Sequence, residues 1–283
     1  MKDQQTQIIE RLVYELELRN YSPQTIRTYS ELLANLERFF QTGLENVSAE
    51  QMKSYLYQRM KNDEISTSYI NQTISAFKLL QTDVLNREWE TFKIKRPRRE
   101  KKLPVVLSQE EVQQLIAGTR NIKHKALLML AYSSGLRRQE VQFLKPSAID
   151  SARMQIHVVQ GKGKKDRYTI LSKKTLEMLR FYYRLERPKT YLFEPQGNKG
   201  VTLSSSTLNE IVKSNAKKAG IKKDISFHTL RHCFATHLLE QGVNLKLIQH
   251  FLGHNSLRTT SVYLSLANIN PSSVVSPLDF MDV

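Results

Sequence analysis

Apolar side chains recur every three or four positions through the first 95 residues of the chain, with a break at the proline-bearing segment 21–23. This spacing is typical of amphipathic helices. We expect a small bundle of four helices over residues 1–95. The positions that predict its core are Ile8, Leu12, Leu16, Ile26, Tyr29, Leu33, Leu36, Phe40, Met52, Tyr55, Leu56, Tyr69, Ile70, Ile74, Phe77 and Leu80.

The pattern changes after residue 95. Residues 96–104, RPRREKKLP, have no apolar period, two prolines and a run of charge, so they predict a linker. A capping box follows, because Ser108 precedes Glu111 by three positions in front of an apolar run. Another apolar helix then leads to Gly135, which is a residue type that commonly ends helices.

Two later segments alternate apolar and polar residues, which favours β-strands. They are residues 154–159 and 167–171, and they flank a turn that carries two glycines and several lysines. We expect a β-hairpin with a basic tip, followed by helices again as far as residue 268. The predicted fold is mainly α with a small antiparallel β-sheet (α+β), in two domains, 1–95 and 105–269, with a separate tail at 270–283.

The charge is unevenly distributed along the chain. The formal net charge is +16, of which residues 1–95 contribute −1, residues 96–104 contribute +4 and residues 105–283 contribute +13. A basic excess confined to one part of a chain indicates a polyanionic partner, in preference to a charge that serves solubility alone. We expect double-stranded DNA as that partner, with the basic linker lying along it.

Other features of the sequence exclude several classes of protein. The N-terminal segment interrupts its apolar residues with charges, and no stretch is long and apolar enough for a membrane span. A single cysteine, Cys233, excludes an internal disulfide and fits a reducing cytoplasm. No glycine-rich phosphate loop suggests ATP use, so we expect no cofactor.

Functional side chains are densest in residues 226–263. His228 and Arg231 are spaced to share one helix face, Gly253-His254 follows a second helix, and Tyr263 is expected on a third. The i,i+4 pairs His228/His232 and His250/His254 could bind zinc. The glutamate of a zinc protease motif is absent and the surroundings are basic, so we predict no metal site. His232, His237 and His250 are interpreted as packing or hydrogen-bonding residues.

Two other polar segments complete a set for metal-free phosphodiester transesterification. A tyrosine can supply the nucleophile, and arginine forks can hold the two phosphate oxygens on which negative charge develops. A lysine can protonate the leaving oxygen. Candidates for the last two roles lie in Gly135-Leu136-Arg137 and at the lysine-bearing hairpin tip, although each segment alone could be a solvated helix end or a DNA-backbone contact.

The ordered motifs GLR, GKG, HTLRH and LGH, with a tyrosine after them, resemble those of the tyrosine recombinases, the lambda-integrase-like family that includes the Xer proteins. The segment YSPQTIRTYSELLANLERFF is similar to the family's N-terminal SAM-like DNA-clamping domain. The resemblance implies that Tyr263 attacks to form a 3′-phosphotyrosine and that Arg137 and Arg231 clamp the phosphate. The remaining implied roles are Lys162 as general acid with Lys164 as its rival, His228 as base, His254 as a phosphate hydrogen-bond donor, and Glu140 as the acid that orients the first arginine.

The resemblance also implies that several copies of the chain assemble on DNA. It favours a homotetramer on paired sites, in which the tail at 270–283 docks on a neighbouring protomer, and accessory DNA-bending proteins are further candidate partners. The family commonly has Tyr-Thr-His where this chain has Tyr263-Leu264-Ser265, and the tail is short and carries two prolines. The first departure bears on local contacts rather than on activity, and the short, proline-bearing tail favours a mobile-element integrase over Xer-like dimer resolution. A non-cutting architectural protein and a type IB topoisomerase remain alternatives.

Overall fold

The computed structural model describes residues 2–89, 94–97, 103–159 and 166–268. The chain divides into two compact units, residues 1–101 and 102–283. Each unit is described separately. No helix in the described ranges has the length and apolar character needed to cross a membrane.

The first unit consists of helices packed around one apolar core, as the hydrophobic period predicts. Its helices are α1 (Lys2–Leu18), α2 (Pro23–Phe40), α3 (Ala49–Asn62) and α4 (Thr67–Leu79), with a π-helical turn at Leu80–Val84. Serine caps explain three of the starts, because Ser22, Ser48 and Ser66 each accept a backbone N–H of the first turn. Leu12, Leu33, Leu36, Met52 and Phe77 are among the fully or almost fully buried core residues.

The beginning of the predicted linker is bound to this unit. The Arg96 guanidinium donates hydrogen bonds to the backbone and side-chain oxygens of Asn71, at 3.0 and 3.2 Å, and to Ser75 Oγ, at 3.0 Å. Two guanidinium nitrogens of Arg96 therefore donate hydrogen bonds to α4, whereas the sequence predicts that the whole basic segment lies along DNA. Composition alone could not distinguish Arg96 from the other basic residues of the segment, because its hydrogen-bond partners in α4 lie 21 and 25 positions away.

The second unit is helical around a three-stranded sheet. Its helices are α5 (Gln109–Ala117), α6 (Ile122–Ser134), α7 (Arg138–Gln142), α8 (Lys173–Glu186), α9 (Ser205–Lys218), α10 (Phe227–Glu240), α11 (Leu245–Leu252) and α12 (Leu257–Thr260). The apolar helix α6 packs against α8 and α10 and buries Leu127, Leu128 and Leu130 completely. The mainly α fold with a small antiparallel sheet is confirmed.

The sheet contains the predicted hairpin and one additional strand. Strands β1 (Ile149–Asp150), β2 (Gln155–Val158) and β3 (Arg167–Ile170) are antiparallel in the order β1-β2-β3. The two-residue strand β1 was not predicted, because it is too short to show a period of two. Val158 pairs with Arg167, and the predicted basic tip at 160–165 lies outside the described residues.

Candidate active site

Three arginines converge on the carboxyl end of helix α11. Arg167 Nε, Arg231 Nη2 and Arg137 Nη2 donate to the backbone carbonyls of residues 251, 252 and 253, at 2.8, 2.6 and 2.9 Å respectively. The last carbonyls of a helix have no partner within the helix and carry the negative end of its dipole. The helix ends at Gly253, whose φ of +60° is the left-handed stop that the sequence predicts.

Glu140 joins two of these arginines. Its carboxylate accepts hydrogen bonds from both terminal nitrogens of Arg167, each at 2.7 Å, and from Nη1 of Arg137, at 2.8 Å. Burial by itself would raise the pKa of the carboxyl, but the hydrogen bonds and charge of Arg167, with those of Arg137, outweigh it and lower the pKa to about 2. Glu140 is therefore ionised and fixes both guanidinium groups.

Arg231 is the most enclosed of the three arginines, with 1% of its surface exposed. Besides the α11 carbonyl it donates Nη1 to the carbonyl of Gly135, at 2.6 Å, where α6 ends in a left-handed residue of φ +60°. Burial, with the charge of Arg137, lowers the pKa of Arg231 to about 9. The guanidinium remains charged at neutral pH and is held between two helix ends.

Tyr263 is buried, with 3% of its surface exposed, in the 3₁₀ turn Ser261–Ser265. We expected it on the third helix, but α12 ends three residues earlier. Its hydroxyl lies 3.1 Å from Nδ1 of His232. Its ring is parallel to that of His254, with 6.5 Å between centroids. Burial raises the pKa of the Tyr263 phenol, against the opposing charges of Arg231 and Arg137.

The ring of His254 lies beside Tyr263, whereas that of His228 lies beside His232. Nδ1 of His254 lies 2.9 Å from the hydroxyl of Thr260, a fully buried residue, and burial together with the charge of Arg231 lowers the pKa of His254 to about 3. His228 is exposed at the start of α10, and its ring meets that of His232 edge-on at 4.9 Å. Desolvation and the charge of Arg231 lower the pKa of His228 as well.

The structure brings five of the six sequence-predicted residues into one region. Arg137 and His228 also line a groove of about 460 Å³ with Arg138, Asn209 and Ser226. Lys162 and its rival Lys164 lie outside the described residues. In the described ranges no group of three or more His, Cys, Asp or Glu is placed to hold a metal ion.

Among the other histidines, His237 has the structural role that was expected. It bridges the Tyr132 hydroxyl, at 2.9 Å, and the Leu107 carbonyl, at 3.0 Å, inside the core. His250 is exposed beside the Phe251 ring. His232 was grouped with these two, but it contacts the candidate nucleophile.

Models of known protein families match both units of the chain. The model of the phage integrase family matches residues 105–268, and the model of the phage integrase N-terminal SAM-like domain matches residues 8–91. The chain belongs to the phage integrase family, the tyrosine recombinases. It is a site-specific recombinase of the tyrosine class.

Individual relatives cover nearly the whole recombinase. A putative integrase/recombinase of Sinorhizobium fredii, y4qK, is 34% identical over 98% of this chain and 90% of its own. The tyrosine recombinase XerA of Pyrococcus horikoshii is 34% identical over 90% of this chain and 88% of its own. A crystal structure of the XerH site-specific recombinase bound to difH substrate shares the fold, with a TM-score of 0.69 at 24% identity over 90% of this chain and 79% of that one.

Sequence reasoning missed three residues of the recombinase site: Arg167, His232 and Thr260. A signal for Arg167 was available, because alternation along β3 places it on the same buried face as Thr169, with Tyr168 exposed between them. A buried strand arginine requires a partner. That partner, Glu140, lies 27 positions away, beyond the reach of a local pattern.

Gly253→Ala tests whether the α11 end positions Arg167. A Cβ at Gly253 would lie 2.7 Å from Arg167 Cδ, at a backbone φ of +60°. We expect loss of about 1–2 kcal/mol from the left-handed backbone and, in addition, loss of most DNA cleavage as Arg167 moves. Gly242→Ala is the matched control, because Gly242 has φ +80° with no atom within 4 Å of its Cβ. Equal cleavage by the two variants in a single-turnover assay would contradict the positioning role.

Glu140→Gln tests the carboxylate that joins the arginines. Removing one partner of a buried ion pair costs about 3–5 kcal/mol, which we expect in urea unfolding at pH 7. The pKa of Glu140 is lowered from its ordinary 4.5 to about 2, so its stabilisation is complete above pH 4.5 and is lost as pH falls toward 2. The difference between variant and wild type should shrink over that interval. The exposed Glu210→Gln is the control, and an equally small effect of both changes would refute the role of Glu140.

Proposed function

We propose that this recombinase cuts double-stranded DNA by attack of the Tyr263 hydroxyl on a phosphodiester, giving a 3′-phosphotyrosine, and then rejoins the strands by the reverse reaction. The observation that carries the proposal is the convergence of Tyr263, His254 and the Arg137–Arg231 pair on the end of α11. The bond energy of the phosphodiester is kept in the phosphotyrosine, so the scheme needs no ATP, and the arginine guanidinium groups supply the positive charge that a metal ion would otherwise supply.

The charge of the arginine cluster suits this reaction. Arg137, Arg167 and Arg231 together with Glu140 carry a net charge of +2. A phosphodiester has one negative charge, and the pentacoordinate transition state has two, so the cluster favours the transition state over the bound substrate.

Hydrogen-bond capacity supports assigning the clamp to Arg137 and Arg231. A guanidinium has five N–H donors, and each of these two arginines uses two nitrogens on protein oxygens in the described part of the chain. Each can bind phosphate oxygens while it keeps the bonds that position it. Arg167 uses all three of its nitrogens on Glu140 and the α11 end, so we assign it a positioning role.

The remaining roles follow from the family resemblance. Lys162, with Lys164 as rival, would protonate the leaving 5′ oxygen, and both lysines lie between β2 and β3 in the chain. His254 would donate a hydrogen bond to a phosphate oxygen, and Thr260 on its Nδ1 would fix the ring for that purpose. The resemblance gives the role of base to His228.

At the level of assembly we propose a homotetramer on paired DNA sites, with the tail at 270–283 docked on a neighbour. This tail lies outside the described residues, as does most of the basic linker. We retain the domain limits 1–95 and 105–269, a cytoplasmic location, and accessory DNA-bending proteins as candidate partners. We favour integration of a mobile element, in line with the 34% identity to a putative integrase/recombinase of Sinorhizobium fredii. The 34% identity to XerA makes dimer resolution the second candidate.

Tyr263→Phe tests the nucleophile. The ring can still pack beside His254, so we expect normal binding to a DNA site mapped by protection of sequences flanking the gene, with no covalent product. The measurement is a denaturing gel of a nicked suicide substrate, incubated with chelator. The exposed Tyr183→Phe is the control and should form the adduct at the wild-type rate. A persistent adduct with Tyr263→Phe would show that another residue attacks.

Arg137→Lys tests the phosphate clamp. A lysine keeps the charge but not the planar fork, and it cannot bind Glu140, the α11 end and phosphate together. We expect cleavage to fall on the order of 100-fold or more at saturating protein. Arg184→Lys is the control, because that exposed side chain donates to the carbonyl of Arg180 in its own helix. Cleavage by Arg137→Lys within a few-fold of wild type would exclude the clamp.

A further inference from the structure

The phenol of Tyr263 has a specific hydrogen-bond partner that the family resemblance does not assign. His232 Nδ1 lies 3.1 Å from Tyr263 Oη, and in the described part of the chain no other side-chain nitrogen or oxygen is within hydrogen-bond distance of that hydroxyl. His232 is in the middle of α10 and is partly buried, while Tyr263 is buried almost completely. The contact therefore joins the reacting oxygen directly to an imidazole.

We propose that His232 is the immediate proton acceptor for Tyr263 during strand cleavage. The inference rests on Tyr263 being the nucleophile. The Oη–H bond breaks and its proton moves to His232 Nδ1, while the oxygen forms the bond to phosphorus. The P–O5′ bond breaks, and the 5′ oxygen receives a proton from the general acid. In rejoining, the 5′ hydroxyl returns its proton to the general acid as its oxygen attacks phosphorus, the P–Oη bond breaks, and His232 returns its proton to the departing phenol oxygen.

Neither of the other two nearby histidines is placed for this step. His228 is exposed, and it contacts the edge of His232 rather than Tyr263. His254 lies parallel to the phenol ring at 6.5 Å, and its Nδ1 is paired with Thr260. A general base must be within hydrogen-bond distance of the proton that it removes. His232 satisfies that condition in the free protein.

The charges around His232 link its basicity to DNA. The groups that face it are His228 and Arg231 on α10, Tyr263 on the 3₁₀ turn, and beyond them Arg137 and His254. Burial, His228 and Arg231 lower the pKa of His232 to about 4, so at neutral pH the ring is uncharged and Nδ1 can accept a proton. A phosphate bound to Arg231 and Arg137 brings negative charge beside the ring and raises its proton affinity.

The test combines His232→Asn with a more acidic nucleophile. The asparagine amide can hold a hydrogen bond near the position of Nδ1 but cannot take a proton. We expect single-turnover adduct formation at pH 7 to fall on the order of 100-fold, with unchanged half-site binding. Replacing Tyr263 by 3,5-difluorotyrosine, whose phenol loses its proton more readily, should restore about tenfold or more in this variant and change the wild-type rate little. Raising the pH should restore the variant in the same way.

Two matched variants complete the design. His228→Asn, a change on the adjacent turn, should show no selective recovery with difluorotyrosine, and His250→Asn, at an exposed ring, should match wild type. Recovery in His228→Asn instead would transfer the role to His228. His232→Asn that cleaves within threefold of wild type, or slow cleavage without recovery, would overturn the proposal. If His232→Asn unfolds, His232→Gln is used with the same criteria. An adduct formed by Tyr263→Phe would instead reject the nucleophile assignment beneath both proposals.

Discussion

The site depends on the contact between three guanidinium groups and the carboxyl end of α11. Like charges repel, so Arg137, Arg167 and Arg231 require a negative counterpart to remain together. The carbonyls of residues 251–253 supply one as the negative end of a helix dipole, and Glu140 supplies a full charge. These counterparts leave a net +2 charge for a ligand. The protein thus stabilises the cluster without neutralising it.

The same contact explains two glycines in the motifs. Gly135 and Gly253 end α6 and α11 in the left-handed conformation, and a Cβ at either position would meet a neighbour, the ring of Phe234 or the side chain of Arg167. Each glycine lets a helix stop where its last carbonyls face a guanidinium. Gly135 in GLR and Gly253 in LGH therefore support the arginines, whereas Arg137 and His254 in the same motifs are the residues proposed to contact the phosphate.

What could be predicted from the sequence follows from the range of each interaction. Hydrophobic period and capping are local, so α1–α4, the Ser108 cap, the hairpin and the Gly253 stop could all be expected. The partners of Arg167 lie 27 and 84 positions away, and Tyr263 is 31 positions from His232. No local pattern encodes such contacts. A family resemblance identifies residues by their position in a motif. It does not identify His232, because the role proposed for that residue rests on its contact with Tyr263.

The buried nucleophile fits an enzyme that must act at selected sites. Tyr263 is enclosed, burial raises the pKa of its phenol, and the pKa of its partner His232 is lowered to about 4. Burial, His228 and Arg231 weaken His232 as a base, and Arg231 is also proposed to bind the phosphate. Phosphate binding would offset the charge of Arg231 and strengthen His232 while it places phosphorus near the hydroxyl. Substrate binding and nucleophile activation would then be coupled through Arg231.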